Sequence, residues 1–268
     1  MKKYKLGFLG IGNMGQSILS GIIKSSLYNK EDICLYDIDQ VKVSKYKEQG
    51  FIFSNNEKEL IENVEILLLA IKPQMLHVLK QYTYNINNLV VVSIIAGKTI
   101  DDLKEIFNDQ IFIRVMPNTP ALINYGASAI SRPKNVDNET FKKVLDIFAS
   151  IGVVEEIDDS LMNEIIPING SMPAYIYYFI KSFIDVAVDN GIEYEVAKHL
   201  ATSTIIGSCK MITESNKTID ELIKDVCSPK GATLEGLKVF EENQLDKIIK
   251  KTSKACIDRA YELSKLNN

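Results

Sequence analysis

The sequence predicts an α/β protein, with a doubly wound sheet over residues 1–159 followed by an all-helical segment over 160–268. Three observations predict it. From residue 5 to about 157 short β-branched runs alternate with amphipathic stretches, the pattern of a parallel sheet covered by helices. The first apolar run, Leu6-Gly7-Phe8-Leu9, passes directly into Gly10-Ile11-Gly12-Asn13-Met14-Gly15. After Asp158-Asp159-Ser160 strand-like runs nearly vanish while helical periodicity continues.

The expected strands begin near Leu6, Ile33, Phe51, Glu65, Leu89, Ile111, Gly126 and Gly152. Between them Met14–Ser25, Gln74–Gln81, Ile100–Phe107 and Glu139–Phe148 read as helices, with Asp101 and Asp137 near helix starts. Strand–helix–strand crossovers are right-handed, so a ligand belongs beyond the carboxyl ends of the strands. In the second part, helices are expected over Ala174–Asn190, Tyr194–Thr213, Ile219–Val226, Thr233–Glu242 and Asp246–Lys265. The aromatic stripe Tyr175–Ile184 reads as a dimer core, which makes this an all-helical dimerisation domain.

Composition narrows the classes. At 268 residues, 46% hydrophobic and 25% charged, the chain can bury a sizeable core and has room for two domains. Its 31 basic and 35 acidic residues are mixed, which gives no basic field for nucleic acid. No apolar stretch reaches the roughly 20 residues of a membrane span and no secretory segment precedes the first strand, so the expected location is the cytoplasm. Cys34, Cys209, Cys227 and Cys256 are too scattered for a metal knuckle or redox pair. They read as buried thiols in a reducing compartment, and no metal is expected.

A strand running into Gly-x-Gly-x-x-Gly and then a helix presents backbone N–H groups and a positive helix terminus to a pyrophosphate. Leu9, Gly10, Ile11, Gly12, Asn13 and Met14 are therefore candidate cofactor contacts. Ile33-Cys34-Leu35-Tyr36-Asp37 reads as the second strand, ending about 20 residues on in a carboxylate placed to accept hydrogen bonds from ribose hydroxyls. Together they make a Rossmann-type dinucleotide site.

Further segments fall at strand ends. Ala70-Ile71-Lys72-Pro73 follows the strand begun at Glu65; Lys72 either reaches the cofactor or caps an exposed loop. Ser93-Ile94-Ile95-Ala96-Gly97 ends the next strand in small residues that let a flat ring lie against the backbone at Ala96. Met116-Pro117-Asn118-Thr119-Pro120-Ala121 freezes a polar loop between two prolines. Cys227-Ser228-Pro229-Lys230-Gly231-Ala232-Thr233 is a small-residue turn leading into a helix, read as a small-anion site or as a plain helix cap. His77 and His199 fall in helical patterns and read as structural.

These segments, with Gly170-Ser171-Met172-Pro173-Ala174-Tyr175, resemble pyrroline-5-carboxylate reductase, in order and along the whole chain. The resemblance implies hydride transfer from NADPH or NADH to the C=N bond of 1-pyrroline-5-carboxylate, giving L-proline. It maps Gly10–Met14, Asn56 and Ala70–Pro73 to the cofactor; Asn118, aimed from a rigid loop at a strand end, is a further candidate cofactor contact. The substrate carboxylate falls to Ser228, Gly231, Ala232 and Thr233, with the Thr233 hydroxyl facing the ring nitrogen. It also implies a homodimer or an assembly of dimers, in which each site takes cofactor from one subunit and the 228–233 turn from the other. Two residues depart from the family pattern, Met172 and Lys230, both at positions where glycine is usual. The Asp37 carboxylate favours NADH by binding ribose hydroxyls and repelling a 2′-phosphate. The alternatives are a reductase or dehydrogenase of a related imine or hydroxyacid, and a catalytically silent dinucleotide-binding paralogue.

Overall fold

In the computed structural model residues 3–265 are described. By their contacts they form two compact units, one holding the chain up to Pro173 and again from Cys256, the other Ala174–Ala255.

The first unit is built on an eight-stranded sheet: β1 (Tyr4–Leu9), β2 (Ile33–Tyr36), β3 (Ile52–Phe53), β4 (Val64–Leu69), β5 (Val90–Ser93), β6 (Ile111–Met116), β7 (Gly126–Ser131) and β8 (Gly152–Ile157), in the order β3-β2-β1-β4-β5-β6-β7-β8. All eight expected strands are present. Every neighbouring pair is parallel except β6 and β7, which run antiparallel. The segment joining those two, from Pro117 to Tyr125, is too short for the crossover that a parallel pair requires. Its 3₁₀ turn, Thr119–Ile123, ends at Asn124 in the left-handed conformation, φ 61°.

Five α-helices cover the sheet: α1 (Asn13–Lys24), α2 (Gln40–Glu48), α3 (Glu57–Asn63), α4 (Ile100–Phe107) and α5 (Asn138–Ala149). Alternation along each strand sends successive side chains to opposite layers. Ile66 and Leu68 of β4 join Ile18 and Ile22 of α1 and Val144 and Phe148 of α5 in one core, whereas Leu67 and Leu69 join Leu60 of α3 and Leu103 and Phe107 of α4 in the other. Helices α2 to α5 begin at capping side chains. Asp137 accepts the Thr140 N–H at the start of α5, and Thr99 forms a reciprocal box with Asp102 at the start of α4.

Three expectations are corrected. The segment after Lys72 is a 3₁₀ helix, Pro73–Gln81, with Leu76 and Leu79 buried at its i, i+3 spacing. Both α2 and α3 are additional helices; α2 buries only Val43 and so carries no apolar stripe for a sequence pattern to detect. Of the four cysteines only Cys34 is buried, where desolvation pushes its thiol up to about 11; Cys209 is exposed, and Cys227 and Cys256 are half-buried.

The second unit is helical throughout. It carries α6 (Met172–Asp189) from Ala174 onward, α7 (Tyr194–Glu214), α8 (Ile219–Val226), α9 (Ala232–Glu242) and the first part of α10 (Leu245–Lys265). All five agree with the expected helices to within two residues at either end. Among the described residues no helix is long and apolar enough to cross a membrane.

Leu68 is 1% exposed at the centre of the sheet and Val41 is 80% exposed on α2. Leu68→Ala should therefore cost ~2–5 kcal/mol of unfolding free energy and Val41→Ala less than ~0.5 kcal/mol, read as urea midpoints at unchanged m. Equal shifts would contradict the placement of the core.

Candidate cofactor and substrate sites

The three glycines of the β1–α1 turn serve three different ends. Gly10 takes φ 95°, and a Cβ there would meet the Ala70 carbonyl oxygen at 2.7 Å. Gly15 faces the Gly10 carbonyl, which a Cβ would meet at 2.6 Å, so α1 can pack against the turn only with glycine at that point. Around Gly12 nothing lies within 4 Å of a built Cβ. Gly12 is also the N-cap of α1, and no side chain caps the helix. An open space in front of uncapped helix N–H groups is what a pyrophosphate requires, so the residues present fit a dinucleotide.

Asp37 stands at the mouth of this turn. One carboxylate oxygen accepts the Ile11 N–H at 2.6 Å and the other accepts the Asp39 N–H at 2.9 Å. The carboxylate therefore ties the end of β2 to the glycine turn, a role additional to the ribose contact expected for it. Each oxygen retains acceptor capacity for a hydroxyl.

Beside the turn lies a cavity of about 380 Å³. Of the expected cofactor residues, Leu9, Gly10, Gly12, Asp37, Ala70, Ile71 and Lys72 line it. Ile11, Asn13, Met14, Asn56, Pro73, Ala96 and Asn118 do not. Asn56 caps α3 by accepting the Glu59 N–H at 2.8 Å, and Pro73 opens the 3₁₀ helix. Asn118 is committed at both ends of its amide, accepting the Ala127 N–H at 2.9 Å and donating to the Asn169 carbonyl at 3.4 Å. The buried Asn169 in turn donates to the Met116 carbonyl. Two asparagines thus brace the Met116–Ala121 loop against the segment before α6.

Sequence reasoning missed Tyr36, Asp39, Lys42 and Glu57, which also line the cavity. Asp39 caps α2 through the Val41 and Lys42 N–H groups, which hold its carboxyl below its usual range, and it pairs with Lys42 at 3.5 Å. Burial, with the Glu57 carboxylate adding to it, pushes the Tyr36 hydroxyl up to about 12. An Asp-x-Asp followed by polar helix residues was the one available signal, and it reads equally well as ordinary capping.

In the helical unit the 228–233 turn has the form of an anion cradle. Gly231 is the N-cap of α9, has no capping side chain, and donates to the Ser228 carbonyl at 2.9 Å. A Cβ on Gly231 would meet Ser228 Oγ at 2.3 Å and the Ser228 carbonyl oxygen at 3.0 Å, so the chain folds back closely on Ser228 and a larger residue there would displace the serine side chain. Lys230 takes φ 60°, a left-handed conformation that costs a side-chain-bearing residue ~1–2 kcal/mol. That accounts for glycine being usual there. Thr233, in the first turn of α9, lines a second cavity of about 380 Å³ with Met211, Ile212, Ile219 and Leu222. His77 and His199 are exposed.

Comparison with known proteins agrees with these features. Residues 159–263 match the family model described as pyrroline-5-carboxylate reductase dimerisation, and residues 5–97 match that described as NADP oxidoreductase coenzyme F420-dependent. The pyrroline-5-carboxylate reductase of Escherichia coli K12 is 35% identical over 265 residues, covering 97% of this chain and 98% of that protein. The chain belongs to the pyrroline-5-carboxylate reductase family. The family reductase of Pisum sativum is 31% identical over 97% of this chain and 96% of its own length. Among solved structures, the Plasmodium falciparum pyrroline carboxylate reductase with NADP bound is 31% identical at TM-score 0.87, covering 98% of this chain and 99% of that one. The Streptococcus pyogenes reductase is similar at TM-score 0.85 and 26% identity, covering 96% and 98%.

The distinct duties of the glycines in this reductase separate binding from folding. Gly15→Ala should destabilise the fold by ~1–3 kcal/mol through the clash with Gly10. Gly12→Ala should leave stability within ~1 kcal/mol while weakening dinucleotide binding by about tenfold or more. Thermal unfolding and cofactor titration of both variants check this, and an unchanged affinity in Gly12→Ala would contradict the site.

Proposed function

We infer that this chain reduces 1-pyrroline-5-carboxylate to L-proline with NADPH or NADH, the final step of proline biosynthesis. Membership of the family across 97% of the chain carries this reading. The bound reduced nicotinamide supplies the hydride that reduces the imine carbon, and the ring nitrogen gains a proton.

The chain's own residues position, anchor and protonate. The N–H groups of Gly12, Asn13 and Met14 and the end of α1 hold the pyrophosphate, with Ala70–Pro73 and Leu9–Ile11 beside it. Ala96 and Asn118 mark the nicotinamide end. Asn118, braced through both ends of its amide, contributes by fixing its loop. Asn56 stays a candidate at the adenosine end. The uncapped start of α9 holds the substrate carboxylate through the Gly231, Ala232 and Thr233 N–H groups and the Ser228 hydroxyl. The Thr233 hydroxyl donates a hydrogen bond to the ring nitrogen. A protonated cyclic imine accepts hydride readily, so orientation does most of the work and no strong acid is needed.

Asp37 carries a negative charge with no cationic partner among the described residues, which supports a preference for NADH. Residues 1–159 are taken as the dinucleotide-binding domain and 160–268 as the substrate-binding and dimerisation domain, the latter supported by the family model beginning at residue 159. The dimerisation match implies an oligomer. A homodimer through the helical segment, with the 228–233 turn completing the partner's site, is supported by the exposed apolar side chains of α6: Tyr177 62%, Tyr178 77% and Phe183 53%. The proposed location is the cytoplasm.

Purified protein mixed with racemic pyrroline-5-carboxylate should oxidise reduced cofactor, with higher kcat/KM for NADH than for NADPH. Thr233→Ala should lower kcat by about tenfold or more while leaving cofactor affinity intact. Absence of oxidation would overturn the activity, a tenfold preference for NADPH would overturn the Asp37 reading, and an unchanged rate in Thr233→Ala would remove that hydroxyl from the mechanism.

A further inference from the structure

A second carboxylate lines the cavity that holds Asp37. Glu57 opens α3, on the turn after β3, and borders the same 380 Å³ space. Its carboxylate is held by one neutral partner: the Tyr82 hydroxyl donates to Oε2 at 3.3 Å, which positions it without cancelling its charge. Three carboxylates, those of Asp37, Asp39 and Glu57, therefore share this cavity with two lysines. Lys42 is already paired with Asp39. Lys72 lies with Ala70 and Ile71 past the end of β4, on the other side of the glycine turn from β2 and Asp37.

We propose that Glu57 is a second cofactor-specificity determinant, acting with Asp37 so that the adenosine end admits a free ribose 2′-hydroxyl and rejects a 2′-phosphate. This rests on the assignment of the cavity to the adenosine half of the cofactor. A 2′-phosphate brings nearly two negative charges at neutral pH. Binding it calls for an excess of cations, and the lining supplies an excess of carboxylates. A ribose diol, in contrast, donates hydrogen bonds and is matched by acceptors that are already held in place.

The test compares adenosine 5′-monophosphate with adenosine 2′,5′-bisphosphate, titrated calorimetrically into the full protein, into Glu57→Gln and into Asp37→Asn. Glutamine keeps an acceptor for Tyr82 and nearly the same shape, and the melting temperature checks that the variant is folded. The wild type should bind the monophosphate more tightly. Glu57→Gln should gain about tenfold in affinity for the bisphosphate, with the monophosphate changed by less than about twofold. A wild type that prefers the bisphosphate overturns the inference, as does a folded Glu57→Gln with no relative gain. If Asp37→Asn relaxes the discrimination and Glu57→Gln does not, the cavity assignment stands and the role of Glu57 falls. If neither nucleotide binds in competition with NADH, the cavity assignment itself fails and the inference with it.

Discussion

The close approach of two backbones at the end of β1 is the constraint from which the rest follows. Gly10 turns the chain beside the Ala70 carbonyl, and Gly15 lets the first turn of α1 rest on Gly10. Gly7, one turn of the pleat earlier, admits Val64, whose methyl a Cβ would meet at 2.7 Å. A side chain at Gly15 would push α1 off the turn, and one at Gly10 would push the turn off the backbone at the end of β4. Because β1 lies between β2 and β4, this turn sits where the strand order changes direction, and the crevice that opens there is the one such sheets use for ligands. Packing and binding are thus met within one short turn: Gly10 and Gly15 allow the contacts, and Gly12 leaves the start of α1 facing open space.

Asp37 links that turn to the neighbouring strand. By accepting the Ile11 N–H it anchors a loop that would otherwise carry an unpaired donor, and it places a carboxylate on the lining of the cavity beside the turn. Fixed carboxylates are well suited to hydroxyls and poorly suited to phosphates, which is why the proposed cofactor preference falls on a residue that also holds the fold. The α9 turn works in the opposite sense. There the chain withholds a capping side chain at Gly231, which leaves the first N–H groups of α9 uncapped, the basis of the carboxylate site proposed there.

Much of this was legible in the sequence, and particular residues show why the rest was not. The central strands, such as β4 and β5, are apolar runs bounded by turn residues, a signal that survives because both faces are covered, and the edge strands β3 and β8 could still be placed from their turns and spacing. Helix α1 and helix α5 carry apolar stripes, while α2, QVKVSKYKE, buries one valine and so leaves no period to read. The antiparallel turn into β7 depends on the length of a proline-braced loop rather than on any run of hydrophobicity. At the site, the glycine turn and Asp37 declare themselves through spacing, whereas Ala70–Lys72 were assigned through the family resemblance. Glu57 and Tyr36 reach the cavity only through the tertiary arrangement of β2, β3 and α3. Asn118 was identifiable as a fixed polar residue, but its partners, Ala127 and Asn169, lie 9 and 51 residues along the chain and no periodic pattern connects them.

The account is tested most directly by a crystal structure of the assembled protein with a reduced dinucleotide and proline. It predicts the pyrophosphate on the amides of Gly12–Met14. It also predicts the proline carboxylate on the Gly231–Thr233 amides of the same or a partner subunit, with its ring in contact with the nicotinamide. A nicotinamide remote from every copy of the 228–233 turn would contradict it.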